Sequence, residues 1–182
     1  MSLPLGHAAI GLATYDLLTK EGSAFTGWKT AAYVTVLANL PDLDVVMGLL
    51  FAGNGNAFHR GPTHSIVFAL VMGFLASKAW KLYARIPKMT FTVSSLLILS
   101  HVTADLFFTQ SPVSLLWPLE VSWSCGHSGW MDVISAAFLE QHQDLSIIVV
   151  CGGVILLNQF IRRSSDRPKS LLARWRFFGE GK

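Results

Sequence analysis

The stretch TAAYVTVLANLPDLDVVMGLLFA, residues 30–52, decides the fold class of this chain. Its length suits a bilayer core, which needs about 20 helical residues, and its only charges are Asp42 and Asp44. Pro41 stands just before them, and a proline inside a helix removes a backbone hydrogen bond. We therefore expect a membrane-spanning helix that is distorted near its centre, with both carboxylates at the distortion.

Other apolar segments lie on both sides of this one. Three of them are long, at 64–84, 90–108 and 145–161, and a shorter one covers about 4–19. The chain has 182 residues, of which 52% are hydrophobic and 14% charged, where a soluble domain carries about 25% charged residues. Period-2 alternation is missing, so strands are not expected. The sequence predicts an all-α, multi-pass transmembrane helical bundle with about five membrane segments.

The basic residues divide the connections between these segments into two sets. With five segments, thirteen of the fourteen fall on one side, and the stretch 109–144 has none. The positive-inside rule assigns that side to the cytoplasm, which places the N-terminus outside and the C-terminus inside. We expect a bundle over 1–161 and a basic cytoplasmic tail over 162–182. The thirteen are Lys20, Lys29, Lys78, Lys81, Arg85, Lys88, Arg162, Arg163, Arg167, Lys169, Arg174, Arg176 and Lys182.

This asymmetry accounts for the sequence pI of about 9.0, so no nucleic-acid partner is predicted. The expected partner is the lipid bilayer, and the sequence indicates no oligomeric state. Cys125 and Cys151 lack zinc-binding spacing and are expected to be ordinary small apolar residues.

Ionisable residues within the apolar segments mark the candidate site, because such residues are costly in a membrane. They stand in four motifs, LPLGH, NLPDLD, HRGPTHS and SHVTADLF. His101 and Asp105 are spaced i, i+4 and therefore share one helix face. The candidate metal ligands are His7, Asp42, His59, His64, His101 and Asp105, with Asp44 and Arg60 as candidate catalytic residues.

Depth in the membrane indicates that these groups meet. His7, Asp42 and His101 each lie 13 residues from a lysine at the predicted inner surface. At about 1.5 Å per residue, each is some 20 Å from that surface, in the outer half of the bilayer. The inner halves of the segments are expected to be apolar. Separate helices thus place polar residues at one level, which favours a metal site.

Simpler explanations remain open for each motif. His7 alone, or the pair His101 and Asp105, can form hydrogen bonds between helices. Asp42 and Asp44 can cap a broken helix, and HRGPTHS can be a helix start capped by Thr63 or Ser65.

The ordered set GH, LPDLD, HRGPTHS, SHVTAD and LLWP resembles the YdjM-like family of inner-membrane metal-dependent hydrolases. The match extends from His7 to Pro118. The family is in turn distantly similar to the zinc-dependent phospholipase C group. The resemblance implies that Asp42, His64, His101 and Asp105 are ligands. The chain departs from some relatives in having no basic residue from Val121 to Asp132.

The resemblance also assigns roles to the remaining residues. It implies that His7 and His59 are secondary ligands, that Asp44 belongs to a second metal or to the surroundings of the first, and that Arg60 contacts a substrate phosphate. It further implies a location in the bacterial cytoplasmic (inner) membrane.

The predicted function is a membrane-embedded metal-dependent hydrolase of a phosphoester or lipid-linked substrate. Nitrogen and oxygen ligands suit a divalent metal, with zinc preferred and manganese or iron as alternatives. An unliganded carboxylate, Asp44 in the first instance, would accept the proton of the attacking water. The alternatives are an ion or proton-coupled transporter and a membrane protein with a structural metal site.

Overall fold

The computed structural model describes residues 4–19, 27–108, 112–119, 121–124 and 143–179. This part of the chain is helical apart from loops and one isolated bridge between Val113 and Trp123. Its six α-helices are α1 (Pro4–Leu18), α2 (Trp28–Ala38), α3 (Leu43–Ala52), α4 (Ile66–Leu82), α5 (Phe91–Phe108) and α6 (Gln143–Gly179). The predicted all-α class is therefore confirmed for the described residues.

Helix α1 lies at the centre of the packing and contacts α2, α5 and α6, while α4 packs against α5. The apolar core forms where α2, α4 and α5 meet, around Val34, Leu37, Ala69, Leu97 and Ile98. The helices that carry the four motifs are thereby held together as one body.

Small residues allow the closest helix approaches. A Cβ placed on Gly73 of α4 would lie 2.8 Å from the Cα atom of Ser95 on α5. A Cβ on Gly11 of α1 would lie 2.5 Å from the Cβ atom of Ala38 on α2. The second contact is next to the site described below, because Ala38 supplies one of its hydrogen bonds.

The predicted distortion near Pro41 is a break between two helices. Helix α2 ends at Ala38, α3 begins at Leu43, and the two differ in direction by 56°. Asp42 is the residue before the first turn of α3, although its side chain makes no capping hydrogen bond. The break turns Asp42 and Asp44 toward the other motifs instead of leaving them on a continuous helix.

The loop HRGPTHS leads into α4 through a short 3-10 turn, Pro62–His64. Helix α4 itself starts at Ile66, two residues after the end of this turn. Ser65 caps it, since its hydroxyl accepts a hydrogen bond from the Phe68 amide at 3.1 Å. The capping explanation therefore holds for Ser65, and it leaves His64 available for the site.

Membrane crossing is supported for part of the bundle. By length and composition, one helix of the described chain can span a bilayer, over Leu145–Ser164, and the bent pair α2 and α3 counts as a second. Large apolar side chains lie exposed on these helices, among them Leu50, Phe51, Leu156 and Phe160. Such continuous apolar surface suits contact with lipid. Five membrane segments stay a prediction.

One expectation about the inner half of the bundle needs revision. Asp16 of α1 is fully buried, and the Asn158 side chain of α6 donates a hydrogen bond of 2.6 Å to its Oδ2 atom. The inner half is therefore not wholly apolar. Helix α6 also continues beyond residue 161 to Gly179, so the predicted tail begins as part of that helix. The sequence also predicts a short interfacial helix over roughly 129–142, and this stretch lies outside the described residues.

Candidate metal centre

His101 is held by the end of α2. Its Nδ1 atom lies 2.7 Å from the carbonyl oxygen of Ala38, and a carbonyl can only accept, so Nδ1 carries the proton. The Nε2 atom of the neutral ring then has its lone pair free. Fixing one ring nitrogen by a hydrogen bond is the usual way in which a protein prepares the other for a metal.

His64 is prepared in the same way from the loop before α4. Thr63 donates its one hydroxyl proton to Asp44 Oδ2 at 2.6 Å, so at 3.1 Å from His64 Nδ1 it can only accept. Asp44 Oδ2 also lies 3.1 Å from that nitrogen. Both neighbours require a proton on Nδ1, and the lone pair of the neutral ring is therefore on Nε2.

These two Nε2 atoms point at each other and at Asp42. They are 3.3 Å apart, and Asp42 Oδ1 lies 3.3 Å from His101 Nε2 and 3.8 Å from His64 Nε2. Two ligands about 2.0–2.1 Å from a tetrahedral zinc are themselves about 3.3 Å apart. The three atoms are thus spaced like one face of a tetrahedral ligand set, and a cation between them would relieve the repulsion between the two lone pairs.

Asp105 and Arg60 lie next to these three atoms. Asp105 Oδ2 lies 3.5 Å from His64 Nε2 and accepts a hydrogen bond from Arg60 Nε at 3.1 Å. Asp105 Oδ1 lies 3.5 Å from Nε2 of His7, and the His7 ring stacks on His101 with centroids 3.7 Å apart. The structure thereby brings Asp42, His64, His101 and Asp105 together with His7 beside them, as the shared depth predicted. Metal binding itself stays a prediction.

Asp44 holds the HRGPTHS loop in place. Besides Thr63 and His64, it accepts a hydrogen bond from the Arg60 amide at 3.1 Å and lies 3.1 Å from Nδ1 of His59. Both of its oxygens are therefore engaged. This arrangement favours an orienting role for Asp44 over the predicted role of proton acceptor. It also places His59 against Asp44 and not among the converging Nε2 atoms.

The backbone of Arg60 is strained. Its φ of 66° lies in the left-handed region, which costs a residue with a side chain about 1–2 kcal/mol. The conformation is held by the Asp44 contact and by the Ser114 amide, which donates to the Arg60 carbonyl at 3.2 Å. Strain that is held in this way is typical of functional positions. The Ser114 bond also gives the stretch around LLWP a role that its sequence did not reveal.

Charge in the cluster suits a cation. The cluster contains three carboxylates, Asp42, Asp44 and Asp105, and one guanidinium, that of Arg60, so with neutral histidines a net charge of minus two remains. Four of these side chains, His64, His101, Asp105 and Asp44, are 4% exposed or less. Buried charge of one sign needs a partner, and a divalent cation would balance it.

A cleft reaches the cluster from one side. Its volume is about 460 Å³. The polar part of its wall includes His7, Asp42, Arg60 and Asp105, and the apolar part includes Leu43 and Val46 of α3. Leu43 and Val46 are about half exposed, so the cleft adjoins the apolar outer surface of the bundle.

Sequence reasoning did not give two of the contributing groups their roles. The role of Ala38 rests on its backbone carbonyl, which the residue type does not reveal. Carbonyls at the end of a helix lack partners within it, and Ala38 is the last residue of α2 before the break at Pro41. The sequence predicts only a helix-capping role for Thr63, yet its hydroxyl fixes the proton position on His64. Asp16 lies at the far end of α1 and takes no part in the centre.

Comparisons with known proteins agree with a membrane location. The chain is 40% identical over 88 residues to the inner membrane protein YbcI of Escherichia coli (strain K12), which covers 46% of this chain and 50% of that protein. The chain thus matches about half the length of this curated relative. No solved structure matches the chain. The distant similarity to zinc-dependent phospholipase C stays a prediction. The family model described as YdjM inner membrane protein matches residues 1–165, and the chain therefore belongs to this family of inner membrane proteins.

Proposed function

We propose that this protein is a membrane-embedded, metal-dependent hydrolase of a phosphoester or lipid-linked substrate. The observation that carries the proposal is the triangle of His64 Nε2, His101 Nε2 and Asp42 Oδ1, whose 3.3–3.8 Å edges suit ligands of one ion. The donors are nitrogen and oxygen only, which favours zinc, with manganese or iron as alternatives.

The hydrogen bonds favour one ion over several. Three groupings of described residues have suitable ligand distances: His7, His101 and Asp105; Asp42, His64 and His101; and Asp44, His59 and His64. His101 belongs to the first two, but its Nδ1 is engaged by Ala38 and only Nε2 can bind. The third would need His64 Nδ1, which carries a proton toward Asp44 and Thr63. We therefore infer a single centre, with Asp42, His64 and His101 as ligands and Asp105 as the nearest additional carboxylate.

The residues around the centre suit the hydrolysis of an anionic substrate. When bound, such an ion supplies a Lewis acid for a phosphoryl oxygen and hydroxide at neutral pH. Arg60 is held through Nε by Asp105, and no described residue accepts a hydrogen bond from its Nη nitrogens. Because Arg60 lines the cleft, those nitrogens suit bidentate binding of a phosphate.

The proton acceptor is better placed at His7 and Asp105 than at Asp44. His7 and Asp105 both line the cleft and face each other at 3.5 Å. Asp44 does not line it and is occupied by the loop. A group must lie within reach of the attacking water to take its proton, and the cleft is the approach open to that water.

The cleft also suits a substrate with a lipid tail. Its polar floor lies beside Leu43 and Val46, which continue onto the apolar surface of α3. An anionic group can reach Arg60 while a hydrocarbon chain stays in contact with that surface. A transporter would need polar groups along the depth of the membrane. Between His7 and Asp16, α1 buries only small residues such as Gly11 and Ala13, so the transporter alternative is less well supported.

The test combines metal analysis with activity on the full chain purified in detergent. Wild type is expected to hold about one equivalent of metal and to hydrolyse members of a lipid and phosphoester panel. His101→Ala is expected to lose both metal and activity. Asp16→Asn, a buried carboxylate at the other end of α1, serves as the matched control and should keep the metal. Bound metal without hydrolysis across the panel would count for a structural site, and ion flux in liposomes without hydrolysis would count for a transporter.

A further inference from the structure

A second concave surface lies at the other end of the bundle. It is a groove of about 600 Å³ between the start of α2 and the turn that joins α4 to α5. Lys29, thirteen residues before Asp42, stands on one wall, and Arg85 stands on the other. At about 1.5 Å per residue, the 11 residues of α2 separate this groove from the metal centre by about 16 Å.

Among the described residues, the groove carries positive charge without a counterion. No aspartate or glutamate occurs from residue 45 to residue 104, which includes the whole α4–α5 turn. None of the ion pairs in the described chain involves Lys29 or Arg85. Arg85 lies over the Tyr83 ring at 5.9 Å, and Lys88 lies over Trp80 at 5.1 Å. The charge is therefore available to an external anion.

The rest of the lining is aromatic and apolar. Trp28 is 77% exposed and Tyr83 about half exposed, and both residue types favour the boundary between headgroups and hydrocarbon. Tyr33 is fixed in the wall because its hydroxyl donates to the Ala76 carbonyl at 2.9 Å. Val36, one turn further along α2, continues the lining as exposed apolar surface. The groove thus joins a cationic rim to a hydrocarbon-compatible wall.

We propose that this groove binds an anionic phospholipid, with its phosphate at Lys29 and Arg85 and an acyl chain along α2 past Val36. Charge complementarity selects the anionic headgroup, because basic pockets between membrane helices bind such lipids. The apolar wall selects a lipid over a free phosphate. This site does not depend on the proposed hydrolase function, since none of its residues belongs to the metal centre.

The test measures lipid binding to the purified full chain by native mass spectrometry. Phosphatidylglycerol and phosphatidylcholine with the same acyl chains are titrated in detergent, and inorganic phosphate is added as a competitor. Wild type is expected to bind phosphatidylglycerol about tenfold tighter than phosphatidylcholine. The double variant Lys29→Gln with Arg85→Gln should lose roughly twentyfold in affinity for phosphatidylglycerol, because each basic residue contributes about fivefold near a membrane surface.

The control carries the same change of charge outside the groove, at Lys78→Gln with Arg163→Gln, and should change the affinity by less than about threefold. Thermal unfolding in phosphatidylcholine checks that both variants fold. Equal losses in the two double variants would overturn the proposal in favour of a diffuse surface charge. Displacement of the lipid by millimolar phosphate would overturn it in favour of a free-phosphate site.

Discussion

His64 and His101 face each other through their Nε2 atoms at 3.3 Å, while the Nδ1 atom of each donates away from the pair. The Ala38 carbonyl fixes one ring, and Thr63 with Asp44 fixes the other. The two lone pairs consequently converge on one point. Neutral histidines would repel each other in this arrangement, so we expect it to hold a cation and to lose its order when the ligands are changed.

Asp42 and Asp44 should respond differently to the same substitution. Asp42→Asn replaces a proposed ligand and is expected to abolish metal retention during purification. Asp44→Asn keeps the ligands but weakens the support of His64, so the metal affinity should fall about 10- to 100-fold. Competition with a chelator measures both affinities. A loss with Asp44→Asn that equals or exceeds the loss with Asp42→Asn would assign Asp44 as a direct ligand.

Arg60→Lys should separate metal binding from turnover. Lysine keeps the charge but lacks the planar fork, which binds Asp105 through Nε and which we propose binds a phosphate through its Nη nitrogens. We expect the metal content to be unchanged and the rate on a phosphate substrate to fall at least about tenfold. Steady-state kinetics beside metal analysis provides the measurement. An unchanged rate would mean that Arg60 serves only to position Asp105.

The sequence was most informative where a single residue type determines the local chemistry. Rare ionisable side chains at one depth were enough to predict that His7, Asp42, His64, His101 and Asp105 meet, because charges in apolar helices must find partners. Proline at position 41 was enough to predict the helix distortion. Neither prediction needed knowledge of how the helices are arranged.

Other features of the site depended on the positions of backbone amides and carbonyls, which cannot be predicted from residue types. The orienting role of Asp44 follows from the left-handed turn at Arg60 and from an amide that faces the carboxylate. The role of Ala38 follows from a carbonyl alone. The burial of Asp16 follows from the packing of α6 on α1, two helices far apart in the chain. Sequence patterns describe faces of helices, and they do not fix such long-range pairings.

Gly73 should be sensitive to the smallest enlargement. In Gly73→Ala the new methyl group would lie 2.8 Å from the Ser95 backbone and closer still to its hydroxyl, so α4 and α5 would have to separate. We expect a loss of about 1–3 kcal/mol in the free energy of unfolding. Gly152→Ala on α6 is the matched control, because nothing lies within 4 Å of its new Cβ. The control should be neutral or up to about 1 kcal/mol more stable. Denaturant unfolding in detergent measures both, and equal effects would contradict the close contact.

The predicted topology can be tested at residue 124. With Cys125 and Cys151 replaced by serine, Ser124→Cys should react with an impermeant thiol reagent in intact spheroplasts, because the basic residues place 109–144 outside. Lys88→Cys in the same background should react only after the membrane is permeabilised. The reverse pattern of labelling would invert the orientation and would place the metal centre toward the cytoplasm.

His7→Ala tests whether His7 transfers protons or binds a metal. Its Nε2 atom lies 3.5 Å from Asp105, and its ring stacks on His101 without sharing the hydrogen bond that fixes that residue. If His7 accepts the proton of water, the variant should keep one equivalent of metal and lose about 10²- to 10⁴-fold in rate, the usual contribution of a general base. His59→Ala is the control: His59 also lines the cleft, but its Nδ1 atom is engaged by Asp44, so this variant should lose less activity than His7→Ala. A fall in metal content with His7→Ala alone would instead make His7 a ligand.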